Sequence, residues 1–311
     1  MQKSHETKYY YFNPLSKQCY FPEGFKKYPL FATFYQPYRL SAKFLWKLWL
    51  HVKPFRYLFS NNHPENILPL KQIDKYVPKN SIMAFNMGTK GVEQKITIIG
   101  IDPLTKIPFF IKYGASELAR TNIHNEGKVL KQLSHLDFVS KLDLDVNNEN
   151  EFALIKTSVL QGAKMDHQFL DDQILSILYK ISEQQIDSDK RYNSNLKTSF
   201  AHGDFCPWNM LTYNGKIQVY DWELAGTYPA GYDLFTFIFQ YEILVNGNTH
   251  FDIILEKNAI EIEKYFAKFQ INDWNPYLQK FADLKYKTES AKCNKDLIKP
   301  YMLLKEYVSG L

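Results

Sequence analysis

Two short segments carry the side chains best suited to chemistry: residues 202–209, read as His-Gly-Asp-Phe-Cys-Pro-Trp-Asn, and the tripeptide Asp-Trp-Glu at 221–223. Between them, Asn-Gly at 214–215 predicts a β-hairpin, because both residues tolerate the positive φ angles of a type I′ turn. This hairpin pairs residues 209–213 with residues 216–220. The pairing brings the two chemical segments to the same end of the hairpin.

Three oxygen-bearing side chains therefore meet at one place. Asp221 lies next to Asn209 just beyond the paired ends, and Asp204 precedes Asn209 by five residues. Two carboxylates and a carboxamide suit Mg²⁺, which keeps several waters and usually takes one or two carboxylates together with substrate phosphates. His202 is interpreted as a structural hydrogen-bonding residue of this loop rather than as an acid.

A glycine-containing loop is predicted upstream, within an antiparallel meander. Strands are expected at 81–85, 93–101 and 107–113, and the loop after the first strand contains Gly88 and Gly91. The two glycines serve either an ordinary hairpin or a cover over phosphates. The loop is not a Walker A loop, because it lacks the Gly-Lys-Ser/Thr ending that this architecture needs.

Lys112 and Glu126 are unusual for their surroundings. Lys112 lies in the apolar strand 109–113, where strand alternation places it on the same face as Phe110. Glu126 lies on the apolar stripe of a helix predicted at 122–133. A carboxylate on a core-facing stripe costs on the order of several kcal/mol unless it is paired. Lys112 is the candidate partner, although each residue taken alone is more often structural.

A further strand is predicted at 152–156, and it continues into a connector at 157–162. The main chain there, through Ser158 and Leu160, could contact a purine edge. A helix is expected to start at Asp166 or Asp171.

Helical patterns dominate the remainder of the chain. An apolar helix is predicted at 232–239, with Asp233 near its start, either as an N-terminal helix charge or as a buried carboxylate that braces the 202–209 loop. Three more helices are predicted around 251–270, 274–291 and 295–308.

Composition limits the class of protein. The chain has 311 residues, of which 45% are hydrophobic, as in globular proteins. Its three cysteines are isolated and favour a reducing compartment. The sequence shows neither a signal-peptide pattern nor a long uncharged apolar run, so we expect a cytoplasmic protein.

The net charge of +5 is unevenly distributed. Residues 1–80 hold thirteen lysines and arginines against four acidic residues, which leaves the remainder of the chain negative. Within this basic part, residues 38–60 predict a helix, ended or kinked at Pro54, with a narrow basic stripe beside a broad aromatic face. Either this helix docks on its own domain with its lysines at the rim, or it lies on an anionic membrane surface.

Taken in order, these motifs resemble the aminoglycoside phosphotransferase and choline kinase superfamily, the small-molecule branch of the protein-kinase fold. The resemblance rests on His-Gly-Asp at 202–204 with Asn209, on Asp-Trp-Glu at 221–223 and on Tyr-Asp-Leu at 232–234. Gly203 stands where protein kinases carry arginine, and Trp-Glu at 222–223 stands where they carry Phe-Gly. These departures argue against a peptide substrate.

The resemblance implies an α+β, protein-kinase-like fold with two lobes. An antiparallel sheet would form the N-terminal lobe at 81–160, and a mainly helical C-terminal lobe would occupy 161–311. Residues 1–80 would be an additional aromatic and basic extension.

The resemblance also implies a reaction, an ATP- and Mg²⁺-dependent transfer of the γ-phosphate to a hydroxyl group. Asp204 would accept the proton of the acceptor hydroxyl, while Asn209 and Asp221 would hold Mg²⁺. Lys112, oriented by Glu126, would hold the α- and β-phosphates. The loop with Gly88 and Gly91 would cover them, and His202 and Asp233 would support the site.

The acceptor is the least determined part of this prediction. Residues 241–311 carry ten basic and ten acidic residues, so they lack the acidic surface that a polycationic aminoglycoside would need. A sugar, an amino alcohol or an envelope glycan intermediate is favoured, and an aminoglycoside-type antibiotic kinase is the alternative. An alternative of another class is a kinase-fold binding protein without activity. No nucleic acid-binding pattern is present.

Overall fold

The structure, a computed structural model, describes residues 8–12, 18–34, 40–57, 60–61, 68–148, 151–165, 169–192 and 195–310. It divides into two compact units. Unit 1 comprises Met1–His124 and Lys141–Val159, and unit 2 comprises Asn125–Ser140 and Leu160–Leu311. The division falls inside helix α5 (Glu117–Gln132).

Unit 1 is built on an antiparallel sheet of eight strands, in the order β3-β1-β2-β4-β5-β6-β8-β7. Its strands are β1 (Tyr9–Phe12), β2 (Cys19–Pro22), β3 (Ser60–Asn61), β4 (Ile82–Asn86), β5 (Ile96–Ile101), β6 (Pro108–Gly114), β7 (Leu142–Asn148) and β8 (Phe152–Ser158). The predicted antiparallel sheet and its meander β4–β5–β6 are confirmed.

Two apolar clusters occupy the two faces of this sheet. Alternate residues of one strand divide between them, so that Ile98 belongs to one cluster and Ile99 to the other. This is the two-residue period of a strand whose two faces are both covered. Trp46 and Trp49, from helix α2 (Leu40–His51), pack into the second cluster.

The predicted extension at 1–80 is not separate from the sheet. Strands β1, β2 and β3 continue the sheet beyond β4 and pair with it in register, for example Tyr20 with Phe85. An unpaired strand edge exposes a row of N–H and C=O groups, which the added strands satisfy. Helix α1 (Pro29–Phe34), helix α2, helix α3 (Lys53–Tyr57) and helix α4 (Leu70–Ile73) complete this part.

The predicted helix at 38–60 is two helices, α2 and α3, divided at Val52 just before Pro54. Proline at this position cannot donate a hydrogen bond to the preceding turn. Residues 38–39 and 58–59 of the prediction lie outside the described residues.

Strand β7 was not predicted, although its sequence contains the signal. Leu142, Leu144 and Val146 alternate with polar residues, and only this apolar set is partly buried. Alternation of this kind indicates a strand with one face toward the core.

Unit 2 contains most of the helices. They are α6 (Asp172–Ser182), α7 (Tyr232–Leu244), α8 (Phe251–Lys257), α9 (Ala259–Lys268), α10 (Asn275–Ala291) and α11 (Lys295–Val308). Asp171 caps α6 by accepting a hydrogen bond from Ile174 N–H at 2.8 Å, whereas Asp166 lies outside the described residues. The predicted helix at 251–270 is interrupted at Asn258.

The hairpin of unit 2 has the predicted register. Strand β11 (Met210–Tyr213) pairs with β12 (Lys216–Val219) from Met210–Val219 to Tyr213–Lys216. Asn214 and Gly215 have positive φ angles of 51° and 72°, which the turn requires. Strand β9 (Ala163–Lys164) pairs with the free edge of β11, and β10 (Thr198–Ala201) pairs with β13 (Gly226–Pro229).

Within the part of the chain that the structure describes, no helix has the length and apolar character needed to cross a membrane.

Candidate functional site

The loop that follows β10 is tied to the end of the hairpin through His202. The ring is completely buried, and its Nδ1 accepts a hydrogen bond from Asp204 N–H at 3.2 Å. Because Nδ1 accepts, the ring proton lies on Nε2, which donates to the carbonyl of Tyr220 at 3.0 Å. Both ring nitrogens are thus engaged in hydrogen bonds, and the structural role of His202 stays a prediction.

Asp233 braces the same loop from the start of α7. Its carboxylate accepts hydrogen bonds from the backbone N–H groups of His202, at 2.6 Å, and Gly203, at 2.9 Å. Burial raises the pKa of Asp233, while the hydrogen bonds from the two N–H groups oppose this rise. Both predicted roles of Asp233 therefore coexist, since it lies in the first turn of the helix and braces the loop.

A glycine is required at position 203. Its φ angle is 84°, a conformation that residues with a side chain rarely adopt. A Cβ atom there would lie 2.2 Å from the carbonyl oxygen of Leu224. Gly203 thus allows the loop to approach the segment after Asp221 closely, which explains why arginine is absent here.

The carboxylate of Asp204 is held on both oxygens. Its Oδ2 accepts a hydrogen bond from Asn209 Nδ2 at 2.9 Å, and its Oδ1 accepts from Gln240 Nε2 at 3.3 Å and from Cys206 Sγ at 3.5 Å. Asn209 Nδ2 also donates to the carbonyl of Asp204 at 2.9 Å. The side chain of Asp204 remains half-buried rather than enclosed.

Asp221 has a left-handed backbone, with φ 72° and ψ 55°. A non-glycine residue in this region costs about 1 kcal/mol or more, and such strain occurs where the surroundings determine the conformation. Immediately after it, the N–H of buried Trp222 donates to Glu126 Oε1 at 3.3 Å. Carboxylate oxygens of Glu126, Asp221 and Glu223 lie within 4.8 Å of one another.

Asn125 holds the same segment from helix α5. It is fully buried, and its Nδ2 donates to the carbonyls of Glu223 and Ala225, both at 3.0 Å. Its Oδ1 accepts from Asp189 N–H at 3.2 Å. The sequence analysis did not identify Asn125, although its position next to Glu126 on the buried helix face was the available signal.

The donor set of this part of unit 2 fits Mg²⁺. Asp221 and the two neighbouring glutamates supply carboxylate oxygens, and the amide oxygen of Asn209 takes no part in the bonds to Asp204. Oxygen ligands of this kind suit a hard cation. Glu126 is the predicted partner of Lys112. Its Oε1, which accepts the hydrogen bond from Trp222 N–H, is directed to the 221–223 segment.

Lys164 adds a cation close to Asp221 that the sequence analysis missed. It lies on β9, beside the hairpin. Burial lowers the pKa of Lys164, and the negative charge of Asp221 opposes this change.

In unit 1, Lys112 occupies the predicted face of β6. Ile111 and Tyr113 belong to the cluster on the opposite face. Lys112 is only 7% exposed and pairs in register with Thr97 and Ile155. A lysine this buried is uncommon unless its ammonium group has a specific role or partner.

The glycine loop of unit 1 is held by hydrogen bonds within it and to two distant residues. Asn86 Oδ1 accepts from Gly88 N–H at 3.0 Å, and Gln94 Nε2 donates to the carbonyl of Met87 at 2.8 Å. Met87 N–H donates to the carbonyl of Gln18 at 2.8 Å, and the Ser116 hydroxyl donates to the carbonyl of Val92 at 2.5 Å. A Cβ atom on Gly88 would lie 2.3 Å from Lys95 O, whereas one on Gly91 would meet nothing within 4 Å. The hairpin thus requires a glycine at position 88, and a role of this loop over phosphates stays a prediction.

Ser158 is already engaged within unit 1. Its N–H donates to the carbonyl of Lys141 at 2.8 Å, and its hydroxyl accepts from Lys141 N–H at 2.9 Å. These bonds use the N–H of Ser158, and a contact of its main chain with a purine stays a prediction. Leu160, two residues later in unit 2, is half-buried and remains the candidate for that contact.

The sequence model of a family described as the phosphotransferase enzyme family matches residues 127–249. That segment contains the 202–209 loop, Asp221 and Asp233. No curated protein matches the sequence.

Solved structures share the fold. An aminoglycoside phosphotransferase, APH(4)-Ia, in the apo form of a thermostable mutant, aligns with a TM-score of 0.51 and 11% identity over 78% of this chain and 99% of that chain. A complex of a thermostable mutant of the same protein with ADP and hygromycin B aligns with a TM-score of 0.50 and 11% identity, over 77% and 97% of the two chains.

The fold is therefore that of the protein-kinase-like phosphotransferases, and the resemblance predicted from the motifs is confirmed. The segment that matches the family model includes the 202–209 loop and Asp221 of the candidate site in unit 2.

Proposed function

We propose that this protein is an ATP-dependent phosphotransferase that moves the γ-phosphoryl group to a hydroxyl of a small molecule. The observation that carries the proposal is the arrangement around Asp204, whose carboxylate is held on both oxygens yet remains half-buried. The match of this segment to the phosphotransferase family supports the same reaction. So does the ADP and hygromycin B bound by a protein of the same fold.

In the proposed reaction, Asp204 orients the acceptor hydroxyl and accepts its proton. The acceptor oxygen forms a bond to the γ-phosphorus, the bond between this phosphorus and the β,γ-bridging oxygen breaks, and ADP leaves. Phosphoryl transfer needs mainly alignment and neutralisation of charge, which a carboxylate fixed by hydrogen bonds can provide.

Asn209 and Asp221 are the proposed Mg²⁺ ligands, with Glu126 and Glu223 within reach of the same position. When bound, Mg²⁺ would neutralise charge on the β- and γ-phosphate oxygens. Trp222 N–H and Asn125 hold the 221–225 segment in place for this purpose.

Lys112 is proposed to bind the α- and β-phosphates, with Glu126 as the carboxylate that orients it. The loop containing Gly88 and Gly91 is proposed to cover the phosphates, and the main chain at Leu160 to contact the purine. The burial of Lys112 supports a specific role, since a solvated lysine would not be 7% exposed.

A neutral or weakly charged acceptor is proposed, such as a sugar, an amino alcohol or an envelope glycan intermediate. The helices that follow the site are balanced in charge, with ten basic and ten acidic residues at 241–311. A polycationic aminoglycoside would be better served by an excess of acidic residues there.

The proposal is tested in two steps. A thermal-shift measurement with Mg·ATP, with Mg²⁺ alone as the control, should raise the unfolding midpoint because a ligand that binds only the folded state stabilises it. A screen of sugars, amino alcohols, glycan intermediates and aminoglycosides, monitored by ADP release, should then identify the acceptor. Nucleotide binding without ADP release for any acceptor, water included, would favour the kinase-fold binding protein.

An anionic membrane surface is the proposed partner of helix α2, at the cytoplasmic face. Its apolar residues divide between two sides of the helix. Trp46 and Trp49 are buried in the sheet cluster, whereas Phe44 is 68% and Leu45 is 49% exposed. Lys43 and Lys47 are exposed beside this apolar pair. Exposed apolar side chains flanked by lysines suit a bilayer that contains anionic lipids.

Sedimentation with liposomes tests this partner. Binding to vesicles of phosphatidylcholine and phosphatidylglycerol is expected to fall about tenfold or more in Phe44→Asp, because a buried aromatic side chain contributes about 1.5–3 kcal/mol. The matched control is Leu104→Asp, at an apolar residue that is 88% exposed in the turn between β5 and β6. Equal losses in both variants, or no binding by the wild type, would remove the membrane from the proposal.

A further inference from the structure

A buried lysine lies behind the candidate catalytic loop and is linked to it through one side chain. Lys285, on α10, is 4% exposed, and its Nζ donates to Gln240 Oε1 at 2.9 Å. Gln240, on α7, donates through Nε2 to Asp204 Oδ1 at 3.3 Å. All three residues belong to unit 2.

The chemistry of these groups determines the donor and acceptor in each hydrogen bond of this chain from Lys285 through Gln240 to Asp204. An ammonium group can only donate, so it must meet the carbonyl oxygen of the Gln240 carboxamide. The amide NH₂ group is therefore turned toward Asp204, where an ionised carboxylate can only accept. The lysine and the carboxylate therefore select the same orientation of the amide, the lysine through the amide oxygen and the carboxylate through the NH₂ group.

Lys285 is charged in this environment. Burial alone would lower the pKa of Lys285, but the groups around it, including Tyr301 and Asp204, more than offset this and raise the pKa overall. Its ammonium also lies 5.3 Å from the ring centroid of Tyr232. Glu289, one turn further along α10, is buried as well.

We propose that Gln240 and Lys285 are positioning residues for the catalytic base: Lys285 fixes the orientation of the Gln240 amide, and Gln240 fixes the Oδ1 side of Asp204. Asn209 fixes the Oδ2 side, so the plane of the carboxylate is defined from two directions. This inference rests on the proposed function and deepens it, because it assigns residues of helices α7 and α10 to the alignment of the acceptor hydroxyl.

The first test uses Gln240→Glu and Gln240→Leu with Mg·ATP as the only substrate, so that water accepts the phosphoryl group. In Gln240→Glu the new carboxylate still accepts the bond from Lys285, which favours retention of the fold, but the N–H donor to Asp204 is lost. We expect kcat for ADP release to fall about 10- to 100-fold in both variants while KM for ATP stays within about twofold, since a misaligned reacting group affects the chemical step. A wild-type kcat in either folded variant, or a change in KM alone, would overturn the proposal.

The second test asks whether Lys285 acts through Gln240. Lys285→Met should lower kcat, and the double variant Gln240→Leu/Lys285→Met should cost no more than Gln240→Leu alone. Independent roles would instead give additive losses.

If Lys285→Met does not fold because Glu289 is left uncompensated, the pair Lys285→Met/Glu289→Gln is compared with Glu289→Gln. The matched control is Lys305→Met, which removes a lysine of α11 that is bonded to Asp283 of α10 at 2.9 Å and should leave kcat unchanged.

A measurement without turnover separates this inference from the proposed function. In a thermal-unfolding cycle, Asp204→Asn and Lys285→Met should be non-additive, and the coupling should disappear in a Gln240→Leu background. A wild-type protein that releases no ADP but shows this coupling would contradict the proposed function and leave the linked chain in place. If Asp204→Asn and Lys285→Met were additive in the protein that retains Gln240, the proposed hydrogen-bond chain would be contradicted.

Discussion

Two loops of this protein each follow a strand and each contain a glycine with a positive φ angle, yet they are held in different ways. The 202–209 loop is fixed by residues far away in sequence, since Asp233 and Gln240 bind it from helix α7. In the 86–92 loop, Asn86 and Gln94 hold the turn at Gly88, while Met87 N–H donates to the Gln18 carbonyl and the Ser116 hydroxyl donates to the Val92 carbonyl. The glycine of the first loop is therefore held by a helix distant in sequence, whereas the glycine of the second loop is held by neighbouring residues.

This difference predicts where substitutions affect chemistry and where they affect only stability. Changes in or around the 202–209 loop should lower kcat in proteins that remain folded. Changes in the 86–92 loop should lower the unfolding midpoint and alter nucleotide binding modestly.

The largest effect is expected for Asp221→Ala, which removes a central carboxylate of the Glu126–Asp221–Glu223 group. Mg·ATP turnover should be abolished. The fold should be retained, because the substitution removes no buried apolar contact and Asn125 still holds the segment. ADP release and circular dichroism measure the two properties. Asp252→Ala, at an exposed aspartate of α8, is the matched control.

Asp204→Ala should lower kcat by roughly 10² to 10⁴, the range for a lost general base. The KM for ATP should change little, since Asp204 is assigned to the acceptor hydroxyl rather than to the nucleotide. Steady-state ADP release at saturating acceptor provides both constants. Normal kcat in a folded variant would place the base elsewhere.

Gly203→Ala tests the tertiary character of the loop directly. A Cβ atom 2.2 Å from Leu224 O must displace one of the two segments, and a shift of about 1 Å at a reacting group can cost up to about 10² in rate. We expect a lower kcat together with a lower unfolding midpoint. A variant that lost stability but kept its kcat would show that the loop adjusts without moving Asp204.

Asp233→Asn should destabilise the protein by about 1–3 kcal/mol, because one of the two N–H groups that Asp233 accepts would face an NH₂ group instead. Chemical denaturation followed by tryptophan fluorescence measures this loss. Stability equal to the wild type would mean that the loop satisfies the freed N–H in another way.

The smallest effect on catalysis is expected for Gly88→Ala. The left-handed backbone and the contact with Lys95 O should cost on the order of 1–2 kcal/mol of stability, with kcat close to the wild-type value and KM for ATP changed only a few-fold. A loss of kcat as large as that of Gly203→Ala would erase the distinction between the two loops.

The parts of the fold that local signals determine could be predicted from the sequence. The Asn-Gly turn determined the hairpin register, and the alternation of β6 placed Lys112 on its face. The motif at 202–209 could be recognised because its residues are close together in sequence. The three predicted C-terminal helices follow from their periodic apolar residues, apart from the break at Asn258.

The parts of the fold that contacts between distant segments determine could not be predicted in the same way. Whether β1–β3 join the sheet depends on which strand edge is free, which periodicity alone does not reveal. Lys285 had a detectable signal in the sequence, since it shares the apolar stripe of α10 with Leu278 and Ala282. The same reasoning that identified Glu126 would have identified Lys285, but its partner could not be named without the fold.

The most direct test of the proposed activity follows the γ-phosphoryl group itself. Wild-type protein, Mg·ATP and the acceptor found in the screen are combined, and ³¹P NMR is recorded together with ADP release. The account predicts one phosphomonoester formed per ADP released, and neither product with folded Asp221→Ala. Formation of the phosphomonoester by the folded Asp221→Ala variant at the wild-type rate would contradict it.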